Sequence, residues 1–418
     1  MSARPLRSLP PVDADHPGWV CFSAQDWWMH NRAHSDFQLM RRIARDRRVL
    51  LVNSIGMRMP RKGRSSTPWR RIARKAASVA RTIRRPDPDT PGFHVMTPVL
   101  FPWYGSATGR AVNARLVRWQ VTLAARALGI RTPVLFVTIP TAWDVVRRMP
   151  RRRLVANRSD KHSSFREADG AVIAGLERDL LAAADTALYV SHSLLEEEAP
   201  LTEGRGEFLD HGVDLERFVP ASTSVDSRDQ ADGRSLPDSL AGIGHPRIGY
   251  IGGMNSYQID AALFADVADA HPDAQLVLVG LTDLDLTELL ARPNVHWLGQ
   301  RPYEEIPGLM AALDVALMPW QANEWIRHAN PIKIKEYLAV GLPVVSTWYP
   351  ELARYAHVVH VAHERDDFVG LVGRALTDRD PLAAAARRAE VEPDSWDRRA
   401  AEVLAAGEPA HLLAGAPS

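Results

Sequence analysis

Short apolar stretches rich in valine, isoleucine and leucine alternate with helix-forming stretches along most of this chain, and this alternation constrains its fold more than any other feature. Arg48–Asn53 and Thr132–Ile139 are such apolar stretches in the first half, and Arg247–Ile251 and Val344–Thr347 in the second. Apolar strands separated by helices are typical of parallel sheets that helices cover on both faces. The pattern therefore predicts an α/β protein.

A polar stretch divides this pattern into two halves. The 418 residues are enough for two domains. Residues 219–245 are rich in Gly, Ser and Asp with little periodicity, as expected of a linker. The tail is rich in Ala, Arg and Glu and is interrupted at Glu392–Pro393, which predicts two helices there. We expect an N-terminal α/β domain at 1–218, a linker at 219–245, a second α/β domain at 246–390 and a closing helix at 391–418.

Charge is balanced over the whole chain but concentrated in one segment. The 51 Lys+Arg and 50 Asp+Glu residues give a net charge of +1, which argues against a dedicated nucleic-acid-binding protein. Residues 57–90 form a basic insertion with eleven basic and two acidic residues. Within it, Trp69–Arg85 has apolar residues at helical spacing and basic residues on the remaining arc, which predicts a helix on an anionic membrane surface. A disordered basic loop or an RNA-binding patch is the alternative interpretation.

Cysteine usage and hydropathy limit the compartment. Cys21 is the single cysteine, which excludes an intrachain disulfide and a thiolate metal cluster. The N-terminus lacks the apolar core of a secretion signal, and no uncharged apolar run reaches the roughly 18 residues that a membrane-spanning helix needs. We expect a cytoplasmic protein that reaches the inner face of the cell membrane through the basic segment.

Two motifs in the second half suit a phosphate-containing ligand. Ile248–Met254 reads as a strand that runs into Gly252 and Gly253, where backbone N–H groups can approach a phosphate. The motif does not match GxGxxG, which disfavours a dinucleotide site, and a simple connecting turn is the alternative. Asn330–Ser346 contains two of only five lysines in the chain, and Glu336 follows Lys335 directly.

Lys333 and Lys335 are compact point charges that suit a diphosphate, and Glu336 can accept hydrogen bonds from sugar hydroxyls. The alternative is an ordinary solvated face of a helix. We expect donor-binding residues at both motifs: Gly252, Gly253, Met254, Asn330, Lys333, Lys335 and Glu336.

Polar and aromatic side chains follow strands of the first half. Asp26–His34 comes after a short strand, at the sheet edge where open α/β folds bind ligands. This segment offers a carboxylate at Asp26 and acceptor-side stacking or proton-transfer groups at Trp27, His30, Arg32 and His34. Two core tryptophans beside a solvated loop are the alternative. Asp160 and His162 follow another predicted strand, and we expect both to line a cleft with catalytic roles.

Four ordered pieces of the second half resemble the nucleotide-binding half of GT-B glycosyltransferases of family 4: IGYIGGM, HPDAQLVLVG, NVHWLGQRPYEEIPGLMAALDVALMPW and NPIKIKEYLAVGLPVVST. Two further pieces lie in the first half. ADTALYVSHSLLEE resembles one of the family's strands, and DHGVDLERF resembles the segment by which the family's chain leaves the N-terminal domain. Asp160 matches a position that related enzymes usually keep acidic. The family's first signature glutamate is replaced by His328, a change that resembles bacterial surface-polysaccharide transferases of the teichuronic-acid type.

The resemblance implies a GT-B fold, with two Rossmann-like domains facing across a cleft and a closing helix that crosses back to the first domain. It implies a glycosyltransferase that moves a sugar from a nucleotide-diphosphate sugar to a glycan or lipid-linked acceptor in cell-surface polysaccharide synthesis. Retention of configuration is expected from the family. No metal or other cofactor is expected, because no DxD-like carboxylate cluster accompanies the glycines. A nucleotide-sugar 2-epimerase, or a non-catalytic relative that binds nucleotide-sugar or glycolipid, stays possible.

Overall fold

A computed structural model describes residues 12–13, 15–29, 32–56, 83–101, 107–165, 169–219 and 237–408. The chain divides into two compact units. Unit 1 comprises residues 1–210 and 396–418, and unit 2 comprises residues 211–395. The boundaries between the two units therefore fall after residues 210 and 395 of the sequence. The predicted domain boundaries, at 218 and 391, lie within eight residues of them. Most of the predicted linker, 220–236, lies outside the described residues.

Unit 1 is built on an eight-stranded sheet in the order β3-β4-β2-β1-β5-β6-β7-β8. All neighbouring strands are parallel except β3, which runs antiparallel to β4. The strands are β1 (Trp19–Phe22), β2 (Val49–Val52), β3 (Ile83–Arg84), β4 (Phe93–Met96), β5 (Val134–Val137), β6 (Arg153–Arg158), β7 (Thr186–Tyr189) and β8 (Gly206–Phe208). The strand order reverses between β1 and β5, and the carboxyl ends of these two strands are the expected ligand position in such a fold.

The central strands of unit 1 are buried from end to end, because helices cover both faces of the sheet. Every residue of β1, β2 and β5 is buried, which explains why these strands are continuously apolar in the sequence. The helices before the second unit are α1 (Ser35–Ile43), α2 (Ala107–Ala127), α3 (Trp143–Val146), α4 (Gly170–Ala183) and α5 (His192–Thr202). Val117 and Val121 of α2 and Leu180 of α4 belong to one apolar core with the strands.

Unit 2 has a six-stranded, fully parallel sheet in the order β11-β10-β9-β12-β13-β14. Its strands are β9 (Arg247–Ile251), β10 (Gln275–Val279), β11 (Val295–Trp297), β12 (Val315–Met318), β13 (Val344–Thr347) and β14 (His360–Ala362). Its helices are α6 (Ala261–Ala270), α7 (Thr287–Leu290), α8 (Ile306–Ala311), α9 (Glu324–Arg327), α10 (Ile332–Val340), α11 (Arg365–Thr377) and α12 (Pro381–Val391). The strand order reverses between β9 and β12, so the loops after these two strands flank the switch point of the sheet.

The last helix, α13 (Trp396–Gly407), returns to unit 1 and packs against α1. The Trp19 indole N–H donates a hydrogen bond of 2.7 Å to Glu408, and Arg47 forms an ion pair with the same carboxylate at 2.7 Å. Both Trp19 and Glu408 are buried, so the C-terminal end of the helix is tied to the start of β1. Within the described residues, no helix is long and apolar enough to cross a membrane.

Candidate functional site

The loop after β9 lies at the switch point of the unit 2 sheet and is built from glycines. Gly252 has φ +151°, and a Cβ there would lie 2.2 Å from Lys333 Nζ. Gly280, after the neighbouring β10, has φ +141°, and a Cβ there would lie 1.9 Å from the Gly252 carbonyl oxygen. Side chains at these two positions would therefore collide with the loop or with the lysine. The amides of Gly252 and Met254 donate to Val279 and Leu281, whereas Gly253 is exposed.

Lys333 reaches this loop from the first turn of α10. Its ammonium donates a hydrogen bond of 2.7 Å to the Tyr250 hydroxyl and lies 4.4 Å from the centre of the Tyr250 ring. The Tyr250 hydroxyl in turn donates to the Gly253 carbonyl at 2.9 Å. The tyrosine therefore holds the lysine against the glycine loop. The structure brings Gly252, Gly253 and Lys333 together, as predicted from their sequence motifs.

Glu336 lies on the same face of α10 as Lys333, three residues along the helix. It is 8% exposed, accepts a hydrogen bond from Tyr303, and has Lys333 and Arg217 as nearby positive charges. Burial raises the pKa of Glu336 to about 7, although Lys333, Tyr303 and Arg217 all act to lower it. A carboxyl group with this pKa can exchange a proton or gain charge when a ligand donates hydrogen bonds to it.

Lys335 does not belong to this site, which corrects the prediction that it contacts the diphosphate. Its side chain is fully buried, and its ammonium donates to Asp394 at 2.7 Å and to the His211 carbonyl at 2.8 Å. Arg354 also forms an ion pair with Asp394, at 2.9 Å. Consecutive helix positions point in different directions, so two lysines separated by one residue serve different parts of the unit.

Met254, Asn330 and His328 have other surroundings. The Met254 side chain is fully buried, so this residue can offer a ligand only its backbone. Asn330 is partly buried and stands just before Pro331, the N-cap residue of α10. His328 is buried with its Nε2 atom 3.2 Å from Glu324 Oε1. The exposed Glu324 carboxylate thus lies beside His328, the position at which the sequence resemblance led us to expect a glutamate.

Two aromatic residues at the same sheet edge escaped the sequence analysis. Trp320 follows β12 and Tyr349 follows β13, and their rings lie 5.2 Å apart. Both are buried, yet the Trp320 Nε1 and Tyr349 hydroxyl groups have no hydrogen-bond partner among the described residues. Trp320 also lies under the Lys333 ammonium, 6.0 Å from its ring centre. Their position directly after apolar strands was the available signal.

In unit 1, the end of β6 is organised by a buried arginine. Arg158 donates to both carboxylate oxygens of Glu198, at 2.6 and 2.9 Å, and also bonds Glu177. Its remaining contact is a 2.7 Å hydrogen bond to the Asp160 carbonyl, which fixes the loop. Burial alone would lower the pKa of the Arg158 guanidinium, but Glu198 and Glu177 together raise it. The ion-pair network thus positions the predicted site residues Asp160 and His162.

These two residues differ in accessibility and in protonation. Asp160 is partly buried, and burial raises its pKa to about 7 although Arg158 acts in the opposite direction. His162 is 2% exposed, and its ring lies 5.4 Å from that of Phe165 in a tilted arrangement. Burial together with Arg158 lowers its pKa to about 3. His162 lines a small pocket in unit 1 with Thr138, Asn157 and Glu177. Its imidazole is neutral near pH 7, so Asp160 is the better proton carrier of the pair.

The segment from Asp26 to His34 is mainly structural in the described part. Trp27 is 3% exposed and packs edge-on against Phe37 and Phe93, so its ring has no free face for a sugar, which corrects that prediction. Asp26 Oδ1 accepts from the Trp28 amide at 2.9 Å and from Asn53 at 3.3 Å.

Three other residues of this segment were predicted to lie on the acceptor side, and the structure describes two of them. Arg32 is exposed and lies 5.2 Å from the centre of the Trp27 ring. His34 is the N-cap residue of α1 and contacts Phe37. His30 lies outside the described residues.

A larger apolar pocket in unit 1 was not predicted. It encloses about 660 Å³, open solvent included, between α2, α4 and the loops after β2 and β5. Its walls are mainly aliphatic, and Arg110, Asn113 and Asp144 supply polar groups. Most of the basic segment Trp69–Arg85, predicted to bind membranes, lies outside the described residues, which resume at Ile83.

Comparisons with known proteins show that part of this chain is similar to glycosyltransferases. Residues 245–385 match the family described as glycosyl transferases group 1. A protein of Bacillus subtilis named as a teichuronic acid biosynthesis glycosyltransferase, TuaH, is 30% identical over 207 residues, covering 48% of this chain. The chain matches about half, 49%, of the length of that relative.

Solved structures extend the likeness to both units. Sucrose-phosphate synthase from Thermosynechococcus elongatus superposes with a TM-score of 0.66 at 15% identity, covering 93% of this chain and 97% of its own. HepE from Anabaena, in complex with UDP and glucose, superposes with a TM-score of 0.62 at 15% identity, covering 93% and 100% of the two chains. At such identities the likeness concerns the fold. The fold is that of the GT-B glycosyltransferases, and within it residues 245–385 match the glycosyl transferases group 1 family.

Proposed function

We propose that this chain is a glycosyltransferase that moves a sugar from a nucleoside-diphosphate sugar, bound to unit 2, to a glycan or lipid-linked acceptor. Retention of configuration, independence from metal ions and a role in cell-surface polysaccharide synthesis are parts of the same proposal. The observation that carries it is the position of Lys333 Nζ, where a Cβ on Gly252 would lie 2.2 Å away. Loop backbone, ammonium and carboxyl group converge at the switch point of the sheet.

The chemistry of these groups matches the departure of a diphosphate. Negative charge grows on the leaving group as its bond to the sugar breaks, and Lys333 with the exposed Gly253 N–H would stabilise that charge. Glu336 would accept hydrogen bonds from the ribose or sugar hydroxyls. HepE was solved with UDP-glucose, and the group 1 match covers this part of unit 2, so uridine nucleotides are the first donors to test.

Asp160 would take the proton of the acceptor hydroxyl group. Its pKa of about 7 suits a general base at neutral pH, since the group is then often ionised and still basic. We expect Asp160→Asn to reduce sugar transfer by a factor of about 10² to 10⁴, the usual contribution of a general base, without changing nucleotide affinity. The measurement is transfer of labelled sugar to a membrane glycolipid extract, with exposed Asp179→Asn of α4 as the matched control. Equal losses in both variants, or none in Asp160→Asn, would remove Asp160 from the mechanism.

Analysis of products decides between the proposal and its alternatives. A melting-temperature screen against nucleotide sugars, with and without a chelator, first identifies the donor, because a ligand that binds only the folded state stabilises it. The donor is then incubated with and without acceptor. A glycoside that forms only with acceptor supports the transferase. Free sugar or an epimer without acceptor indicates the 2-epimerase, and binding without turnover indicates the non-catalytic relative.

A further inference from the structure

Helix α2 carries apolar side chains on two opposite faces. Val117, Val121 and Ala124 face the core of unit 1. On the opposite face Val112, Leu116, Trp119 and Leu123 follow the spacing of a single helical stripe. Trp119 is 61% exposed, Leu123 46% and Val112 43%. A soluble helix normally places polar residues there, so this outer stripe needs an explanation.

The neighbouring loop widens this apolar surface. Val99 is 43% exposed and Phe101 54%. Gln120 holds the Val99 backbone through two hydrogen bonds of 2.9 Å, and Asn113 holds the Phe101 backbone at 2.8 and 3.1 Å. The backbone that carries these two side chains is therefore held along one flank of the stripe. We call Val99, Phe101, Val112, Leu116, Trp119 and Leu123 the outer face of α2.

Charge on the helix distinguishes between possible occupants. The segment Ala107–Ala127 contains four arginines and no acidic residue. Arg115 and Arg126 are exposed, and Arg118 is partly exposed, on the flank opposite Val99 and Phe101. Arginines can keep their guanidinium groups at lipid headgroups while their stems lie on apolar surface, and tryptophan favours the same interface. An apolar stripe on a helix that carries arginines and no acidic residue is complementary to an anionic bilayer.

We propose that the outer face of α2 docks unit 1 on an anionic membrane surface. The proposed contact consists of described residues of α2 and of the loop at Val99–Phe101, and it does not depend on the proposed transfer reaction. Trp119 and Leu123 enter the interfacial region, and Arg115, Arg118 and Arg126 contact lipid phosphates. The surface belongs to the unit whose sheet edge carries Asp160, so docking would keep that unit at the bilayer.

The first experiment measures cosedimentation of the full chain with vesicles of phosphatidylcholine containing about 30% phosphatidylglycerol, and with phosphatidylcholine alone. We expect W119S/L123S to lower partition onto the anionic vesicles by about tenfold or more. Leu382→Ser, at a 77% exposed leucine of α12 in unit 2, is the matched control and should leave partition unchanged. Unchanged partition of W119S/L123S would overturn the proposal, provided that circular dichroism shows the variant folded.

A second experiment separates this face from the basic segment. The native Cys21 is fully buried, so an environment-sensitive fluorophore on W119C reports that position alone. Its emission should shift to the blue on anionic vesicles and stay unchanged with phosphatidylcholine, whereas L382C should not respond. Cosedimentation without a shift at W119C would assign binding to the basic segment and overturn the proposal. A shift that grows with protein concentration in the absence of vesicles would instead identify a second copy as the occupant, and would also overturn it.

Discussion

Lys333 and Lys335 stand two residues apart on α10, and they serve two different regions of unit 2. Lys333 ends at the glycine loop of the sheet edge, 2.7 Å from the Tyr250 hydroxyl and close to the exposed Gly253. Lys335 ends in the interior, where Asp394 and the His211 carbonyl take its hydrogen bonds. The same residue type therefore lies at the proposed donor site at one position and holds the interior of the unit together at the other. The two lysines differ in how deeply they are buried and in their hydrogen-bond partners. Their spacing in the sequence does not reveal this difference.

The largest effect expected from this comparison is on stability. Lys335→Met leaves Asp394 buried with only part of its compensating charge, and loss of one partner of a buried ion pair costs about 3–5 kcal/mol. Urea unfolding followed by tryptophan fluorescence should show this loss. Lys333→Met is the matched control and should change the free energy of unfolding by less than about 1 kcal/mol. A Lys335→Met protein as stable as the wild type would show that the buried pair contributes no cohesion.

The next effect is on ligand binding, for which Lys333 and not Lys335 is expected to matter. Lys333→Ala should weaken binding of UDP by about tenfold to a hundredfold, because hydrogen bonds to charged groups contribute about 1.5–3 kcal/mol. Isothermal titration calorimetry measures the change. Arg327→Ala, which removes a 63% exposed cation of unit 2, controls for long-range charge. Equal losses in both variants would mean that Lys333 acts only through the general field of the unit.

A smaller effect concerns pH and Glu336. With its pKa raised to about 7, Glu336 is mostly protonated at pH 6 and mostly ionised at pH 8, and only the ionised form accepts hydrogen bonds at both oxygens. Affinity for UDP-glucose should therefore rise by about tenfold between these pH values. Glu336→Gln should flatten this dependence. A profile that is identical in the variant would assign the titration to another group.

The same carboxyl group makes a stability prediction of definite sign. The folded state of Glu336 binds its proton more tightly than the unfolded state, so its contribution to stability falls as pH rises from about 4.5 to about 7. Glu336→Gln should remove this part of the pH dependence in the absence of ligand.

Elements with strong local signals were predictable from the sequence. The predicted strands Arg247–Ile251 and Val344–Thr347 agree residue for residue with the structure. Their β-branched runs, flanking glycines and prolines define them without tertiary information. The short strand β14 and the helix α11 were missed. β14 has only three residues. α11 buries Phe368, Leu371, Val372 and Ala375 at helical spacing, but no N-cap side-chain bond marks its start.

The candidate site was predictable only in part, because side-chain direction depends on distant partners. The glycine loop and Lys333 were found since strand, loop and helix lie in one recognisable order. The partner of Lys335, Asp394, lies 59 residues further along the chain, and no local pattern reveals it. Trp27 was misjudged for a similar reason, since Phe93 becomes its neighbour only when the sheet forms. The outer face of α2 was visible as spacing, but only the structure shows that a second face already fills the core.

The most direct test of the account is a crystal structure of the protein with a bound nucleoside diphosphate. We predict that a diphosphate oxygen lies about 3 Å from Lys333 Nζ and from the Gly253 amide, that the ribose contacts Glu336, and that Lys335 keeps its ion pair with Asp394. A nucleotide bound away from the loop after β9, or a Lys335 ammonium that leaves Asp394 to meet the phosphates, would contradict the account.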